Sequence, residues 1–136
     1  MIKEFDLVVF RRKFWVAVDS SKEEISSLLG VNVVDEKYSV LSDDIYNSYK
    51  NKSNAITVRA YNLNNGDLGY LVILFKKFDK GSELVDAIAH ESCHVSDFLQ
   101  EDIGVQNGDT EINGHITGYV AGKIMLTWNE KDKEND

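Results

Sequence analysis

The chain has 136 residues, 43% of them hydrophobic and 28% charged, so it can bury one sizeable core and we expect a single domain. Fifteen Lys and Arg residues against 23 Asp and Glu give a net charge of -8, the wrong sign for a protein that neutralises nucleic-acid phosphates. No apolar run approaches the roughly 20 residues that span a bilayer and no export signal is evident, so we expect a cytoplasmic protein that binds neither nucleic acid nor a membrane.

The first 78 residues have the pattern of a small β-sheet with one helix. Residues 5–18 and 31–40 favour strands, and a short helix follows Ser21 and stops at Gly30. The polar segment 42–54 is interpreted as a loop or a weak helix. Residues 55–61 and 68–75 read as two strands, and the Asn65-Gly66 pair between them predicts a hairpin.

After Gly81 the apolar period changes from 2 to 3.6, which predicts two long helices. The first has Ser82 as its N-cap and extends to about Leu99, and the second begins near Asp109 and continues to Trp128. Three glycines four residues apart, at positions 114, 118 and 122, predict a face on which the first helix packs closely. We therefore predict an α+β domain over residues 1–128 and a polar, disordered tail over residues 129–136.

The first of these helices contains His90-Glu91-Ser92-Cys93-His94, an H-E-x-x-H sequence. Histidines four residues apart share a helical face, so both imidazoles can bind one zinc ion. Glu91 lies about 100° around the helix, where it can accept a proton from a zinc-bound water. Chance predicts only roughly 0.005 such matches in a chain of this composition. Cys93 is interpreted as a small buried residue, not as a ligand or nucleophile.

A catalytic zinc site normally has three protein ligands, so a third must come from elsewhere in the chain. We favour Glu111, 17 residues after His94, with His115 and Asp109 as alternatives. If His115 is not a ligand, it can orient substrate or stabilise the oxyanion. Asp97 can hydrogen-bond the outer ring nitrogen of a ligand, and Tyr119 either donates near the site or packs in the core.

The arrangement resembles the zincin metallopeptidases, in particular the gluzincins, in which a glutamate on a following helix completes the His-Glu-x-x-His site. It is most similar to short zincin-like peptidases of phages and prophages, through residues 89–98, residues 109–111 and the Gly118-Tyr119 pair. The resemblance implies a zincin-like fold, His90, His94 and Glu111 as zinc ligands, and Glu91 as general base. Gln100 replaces the third histidine of the metzincins, and the cysteine ligand of peptide deformylases is missing.

These patterns predict a zinc-dependent metallopeptidase or amidohydrolase that acts on a peptide or protein substrate. We expect strand 56–61 or 68–75 to pair with the extended substrate. The alternative is a catalytically inactive phage accessory or structural protein whose zinc site serves stability or partner binding. Residues 79–136 hold 4 basic and 13 acidic residues, an excess that favours basic substrates.

Overall fold

The computed structural model describes residues 1–7, 10–34, 37–75, 78–104 and 110–134. The chain divides into two compact units, residues 1–76 and 77–136, where the sequence predicted one domain. The division falls close to the point at which the apolar period changes. The first unit contains the elements β1 (Ile2–Leu7), β2 (Arg12–Val18), α1 (Lys22–Ser26), β3 (Leu29–Val34), β4 (Lys37–Val40), α2 (Asp43–Lys52), β5 (Ala55–Asn62) and β6 (Leu68–Leu74). The second contains α3 (Gly81–Ile103) and α4 (Thr110–Glu134).

The described strands form one sheet of six, in the order β1-β2-β6-β5-β3-β4. Neighbouring strands are antiparallel except β2 and β6, which are parallel. The expectation that β6 pairs with a substrate is wrong, because β6 is hydrogen-bonded to β2 on one side and to β5 on the other. Strand β5 lies inside the sheet as well, but it pairs with β3 only through residues 60–62. Among the described strands, β1 and β4 are the outermost.

The parallel pair occupies the second and third positions in the sheet, and residues 14–18 of β2 and 69–74 of β6 are buried. Such near-continuous apolar runs are typical of parallel strands. Gly69 lies opposite Lys13, and a Cβ at this position would overlap the Lys13 backbone carbonyl. The close approach of β2 and β6 therefore requires glycine at position 69.

The predicted hairpin between β5 and β6 is confirmed. Gly66 has a φ of 77°, a conformation open to glycine at little cost, and the Asn62 side chain accepts hydrogen bonds from the backbone N–H groups of Asn64 and Asn65. The Asn62 and Asp67 backbones also bond across the turn at 2.8 Å. These contacts fix the register in which Val58 lies opposite Leu71.

Helix α1 begins with a capping box, since the Ser21 hydroxyl accepts from the Glu24 N–H and the Glu24 carboxylate accepts from the Ser21 N–H. The helix ends at Ser27, and the prediction that Gly30 stops it is wrong. Gly30 lies within β3, opposite Tyr61, whose ring occupies the space a side chain would need.

The segment interpreted as a loop or weak helix is a regular helix, α2, so the first unit has two helices where one was predicted. Its N-cap is Ser42, whose hydroxyl accepts from the Ile45 N–H. Tyr46 and Tyr49 pack against the core of the sheet, and the Tyr46 ring meets Phe75 edge-on. The Tyr46 hydroxyl donates a hydrogen bond to the Ser20 backbone carbonyl at 2.9 Å.

Both long helices predicted in the second unit are present, with corrected ends. Lys80 rather than Ser82 is the N-cap of α3, and Gly104 ends the helix in the left-handed conformation. Helix α4 continues through residues 129–134, which were predicted to be a disordered tail. Within the described segments, no helix is long and apolar enough to cross a membrane.

A small polar network fixes how α4 packs against α3. The Asn113 side-chain oxygen accepts from the Ser96 hydroxyl at 2.5 Å and from the Gln100 amide at 3.1 Å. The Gln100 amide also donates to the Ser96 hydroxyl at 2.9 Å, and both Ser96 and Gln100 are buried. Asn113 thus places one side of α4 against α3, together with the buried apolar residues of that helix.

The glycine face of α4 does not pack against α3, contrary to the prediction. Gly114, Gly118 and Gly122 are exposed, and a Cβ at any of them would meet nothing within 4 Å. The buried face of α4 instead carries Ile116, Val120, Ile124 and Thr127.

Candidate metal centre

The candidate site lies on α3, where three aromatic rings follow one another along one helical face. We call this row of rings the histidine ladder. His90, His94 and Phe98 are four residues apart, so their side chains follow one another along a single helical face. The His90 and His94 ring centroids are 4.5 Å apart with the ring planes at 85°. The His94 and Phe98 centroids are 6.2 Å apart with planes at 27°. The two imidazoles are thus nearly perpendicular to each other, and the phenyl ring lies along the second.

The two imidazoles meet through their outer nitrogens. His90 Nε2 and His94 Nε2 are 2.9 Å apart. In a tetrahedral zinc site, two nitrogens that each lie about 2.0–2.1 Å from the metal are about 3.3 Å apart. The rings would need to separate by only about 0.4 Å to bind one ion together. The two nitrogens are thus of a type that binds zinc and lie close to the spacing that a shared ion needs.

Glu91 stands beside this pair in a different environment. Its side chain is 4% exposed, whereas His90 is exposed and His94 half-buried. One carboxylate oxygen of Glu91 and one ring nitrogen of each histidine all lie within 4.8 Å of one another. The structure thus brings together the three residues of the motif that carry the predicted chemistry: a buried carboxylate and two solvent-accessible imidazoles.

The structure does not bring Glu111 or His115 to this group. Both are exposed on α4, and each is two residues from Asn113, a rotation of about 200° from the side chain that contacts α3. His94 is likewise two residues from Ser96, so the histidine pair faces away from the network as well. Asp109, the other candidate, lies outside the described residues.

The remaining predicted residues lie on exposed surfaces. Asp97 is exposed on α3, and Tyr119 is 42% exposed on α4, with the Lys123 ammonium 5.5 Å from its ring centroid. The prediction that Cys93 is buried is wrong, because it lies on the exposed side of α3 between the two histidines. It is not part of the group formed by His90, Glu91 and His94.

Sequence reasoning missed the roles of two residues, Phe98 beside the site and Asn113 between α3 and α4. Phe98 lies one helical turn after His94, and the four-residue spacing of the rings was the signal that could have identified it. Asn113 gave no comparable signal, because its role depends on a contact between helices.

Comparison of the chain with known protein families, with characterised proteins and with solved structures finds no match. The interpretation of the site therefore depends on the geometry of His90, Glu91 and His94.

Proposed function

We propose that this protein is a zinc-dependent hydrolase of peptide or amide bonds, with a zincin-like site built on α3. The observation that carries the proposal is the 2.9 Å approach of His90 Nε2 and His94 Nε2 beside the buried Glu91 carboxylate. Metal-assisted hydrolysis requires metal ligands and a proton acceptor. Here His90 and His94 offer two ligands, and Glu91, next to His90 on the same helix, offers the proton acceptor.

His90 and His94 would hold a zinc ion, which when bound would supply the Lewis acidity that metal-assisted hydrolysis needs. Glu91 accepts the proton of the attacking water as its oxygen bonds to the carbonyl carbon. The same carboxyl group then donates that proton to the amide nitrogen as the C–N bond breaks. One water is consumed, and a carboxylic acid and an amine are released.

Glu111 is the third ligand of this proposal. Glu111 lies outside the group formed by His90, Glu91 and His94, so binding requires its carboxylate to move to the histidines. If Glu111 binds zinc, adding zinc to the wild type should change the backbone amide NMR chemical shifts of Glu111 and His115. In Glu111→Ala, zinc should no longer change the His115 shift, and the affinity for zinc should fall. Unchanged shifts on a zinc-loaded wild-type chain would exclude Glu111 as a ligand.

The substrate that fits this surface is basic. Helix α3 carries acidic residues and neither Lys nor Arg between Gly81 and Ile103. Several further carboxylates on this helix are exposed: Asp86, Asp97, Glu101 and Asp102. Such a surface attracts cationic peptides at low ionic strength. Hydrolysis rates that do not depend on peptide charge at low salt would contradict this assignment.

The second candidate is a protein without catalytic activity that binds zinc for stability or for attachment to a partner. The observation that favours it is the position of Glu111 outside the group formed by His90, Glu91 and His94. A histidine pair without a third protein ligand can bind a metal ion but lacks the usual composition of a catalytic zinc centre.

Glu91→Gln separates the two candidates, because it removes the proton acceptor and nearly preserves the side-chain shape. Zinc-loaded wild type, Glu91→Gln and the control Glu83→Gln are incubated with a library of basic peptides, and cleavage is followed by mass spectrometry. Zinc content and thermal unfolding are measured on the same samples. Glu83 is exposed in the first turn of α3, so its substitution makes the same chemical change away from the histidines.

For the hydrolase, Glu91→Gln retains zinc and folding but loses about 10²–10⁴-fold in cleavage rate, while Glu83→Gln cleaves as the wild type does. Equal cleavage by wild type and Glu91→Gln would overturn the role of Glu91. Zinc binding without any cleavage by the wild type would favour the second candidate.

A further inference from the structure

The His94 imidazole has a neighbour that the proposed chemistry does not use. The Phe98 ring lies along it with a centroid distance of 6.2 Å and an interplanar angle of 27°, and both side chains are half-buried. This is the offset, nearly parallel arrangement that aromatic rings prefer. The four-residue spacing within α3 brings the two rings to the same helical face, where they can make this contact.

The plane of the His94 ring decides whether its nitrogen can bind a metal, because the lone pair of Nε2 lies in that plane. The χ2 angle of histidine has a broad energy profile, so an imidazole without a packed neighbour samples many ring orientations. A phenyl ring packed against one face restricts that rotation. In the observed orientation, Nε2 points at His90 Nε2 at a distance of 2.9 Å.

His90 provides the internal comparison. It is exposed, and its ring contact in the structure is the perpendicular one with His94. His94 therefore has a ring neighbour on each side along the helix, Phe98 on one side and His90 on the other.

We propose that Phe98 is a positioning residue that orients the His94 imidazole for metal binding before the metal arrives. This inference rests on the proposed function in that His90 and His94 are taken as the metal ligands. It adds a residue that touches neither metal nor substrate and acts by limiting the rotation of one ligand.

The test uses the full chain with three substitutions. Phe98→Leu removes the ring and keeps an apolar side chain, and Phe98→Tyr restores a ring. Phe78→Leu is the matched control, because Phe78 makes a ring contact with Trp128 in the same unit, with centroids 5.5 Å apart, and is not part of the histidine ladder. Zinc affinity is measured by competition with a chromophoric chelator, and thermal unfolding of the metal-free proteins reports any general loss of stability.

A second readout needs no metal. In the metal-free wild type, the His90 and His94 rings should show nuclear Overhauser contacts with each other, and the His94 ring with Phe98. Phe98→Leu should weaken the contacts between the histidines, whereas Phe98→Tyr and Phe78→Leu should preserve them.

We expect Phe98→Leu to weaken zinc binding by about 3–10-fold, the equivalent of one aromatic contact, and Phe98→Tyr to restore it to within about 2-fold. Wild-type affinity in Phe98→Leu, or an equal loss in Phe78→Leu, would overturn the positioning role and leave the metal site standing. If the wild type binds no zinc, the proposed function fails, and the Overhauser contacts of the metal-free protein still decide whether Phe98 orients His94.

Discussion

Asn113→Ala should destabilise the second unit measurably, because it removes the acceptor at the centre of the network between α3 and α4. Two hydrogen bonds are lost, from the Ser96 hydroxyl at 2.5 Å and from the Gln100 amide at 3.1 Å. The Gln100 amide keeps its bonds to the Ser96 hydroxyl and carbonyl at 2.9 and 3.3 Å, so the Ser96 hydroxyl bears most of the loss.

A net hydrogen bond contributes about 1 kcal/mol, and a buried donor left without an acceptor costs about 1–3 kcal/mol. Replacing Asn by Ala also raises helix propensity by about 0.5 kcal/mol. Asn129→Ala corrects for that gain, because Asn129 is exposed on the same helix. Relative to this control, we expect Asn113→Ala to lose about 1–3 kcal/mol in the free energy of unfolding.

The measurement is urea unfolding followed by the circular dichroism of the helices, on both variants and the wild type. Combining Asn113→Ala with Ser96→Ala completes a double-mutant cycle, which should give a coupling energy of about 1 kcal/mol between the two side chains. A difference below about 0.5 kcal/mol between Asn113→Ala and Asn129→Ala would refute the argument that this network fixes α4 on α3.

Two further predictions concern glycine packing and the cap of α1. Gly69→Ala should destabilise the protein by about 1–3 kcal/mol, because the new methyl group overlaps the Lys13 carbonyl, whereas Gly118→Ala should stabilise it by up to about 1 kcal/mol on an open helical face. Chemical denaturation of both variants checks the pair, and a stabilising Gly69→Ala would contradict the close approach of β2 and β6. The hydrogen bond from the Ser21 backbone N–H lowers the pKa of the Glu24 carboxyl, so its contribution to stability is present above the unfolded pKa and lost as the pH falls through the folded pKa. Melting curves should accordingly show Glu24→Gln less stable than the wild type at pH 7, with the difference shrinking as the pH falls below the unfolded pKa of Glu24. A difference that does not change with pH would exclude this cap as its source.

Local sequence signals predicted much of the fold because their physical causes are local. The Asn65-Gly66 pair specifies its turn through the conformational freedom of glycine, and the change of period near Gly81 marks where strands give way to helices. The segment that forms α2 was interpreted as a loop or a weak helix because it is mostly polar. The Ser42 N-cap and the two tyrosines that pack on the sheet are the features that favour a regular helix there.

Features that depend on distant contacts could not be predicted in this way. The parallel pairing of β2 with β6 joins residues more than 50 positions apart and makes β6 an interior strand, and β5 becomes interior by pairing with β3. The exposure of Cys93 and of the α4 glycines depends on how each helix is rotated, which a local pattern does not specify. The histidine pair was predictable because its spacing and its geometry belong to one helix, whereas Glu111 belongs to another.

The most direct test of the metal site is a zinc titration of the metal-free protein, its His94→Ala variant and Cys93→Ser. Cys93→Ser removes the exposed thiol between the two histidines and should bind as the wild type does. We expect the wild type to bind one zinc ion per chain and His94→Ala to bind at least about 100-fold more weakly. Zinc binding of equal affinity by the wild type and His94→Ala, or none by the wild type, would contradict a metal centre at His90 and His94.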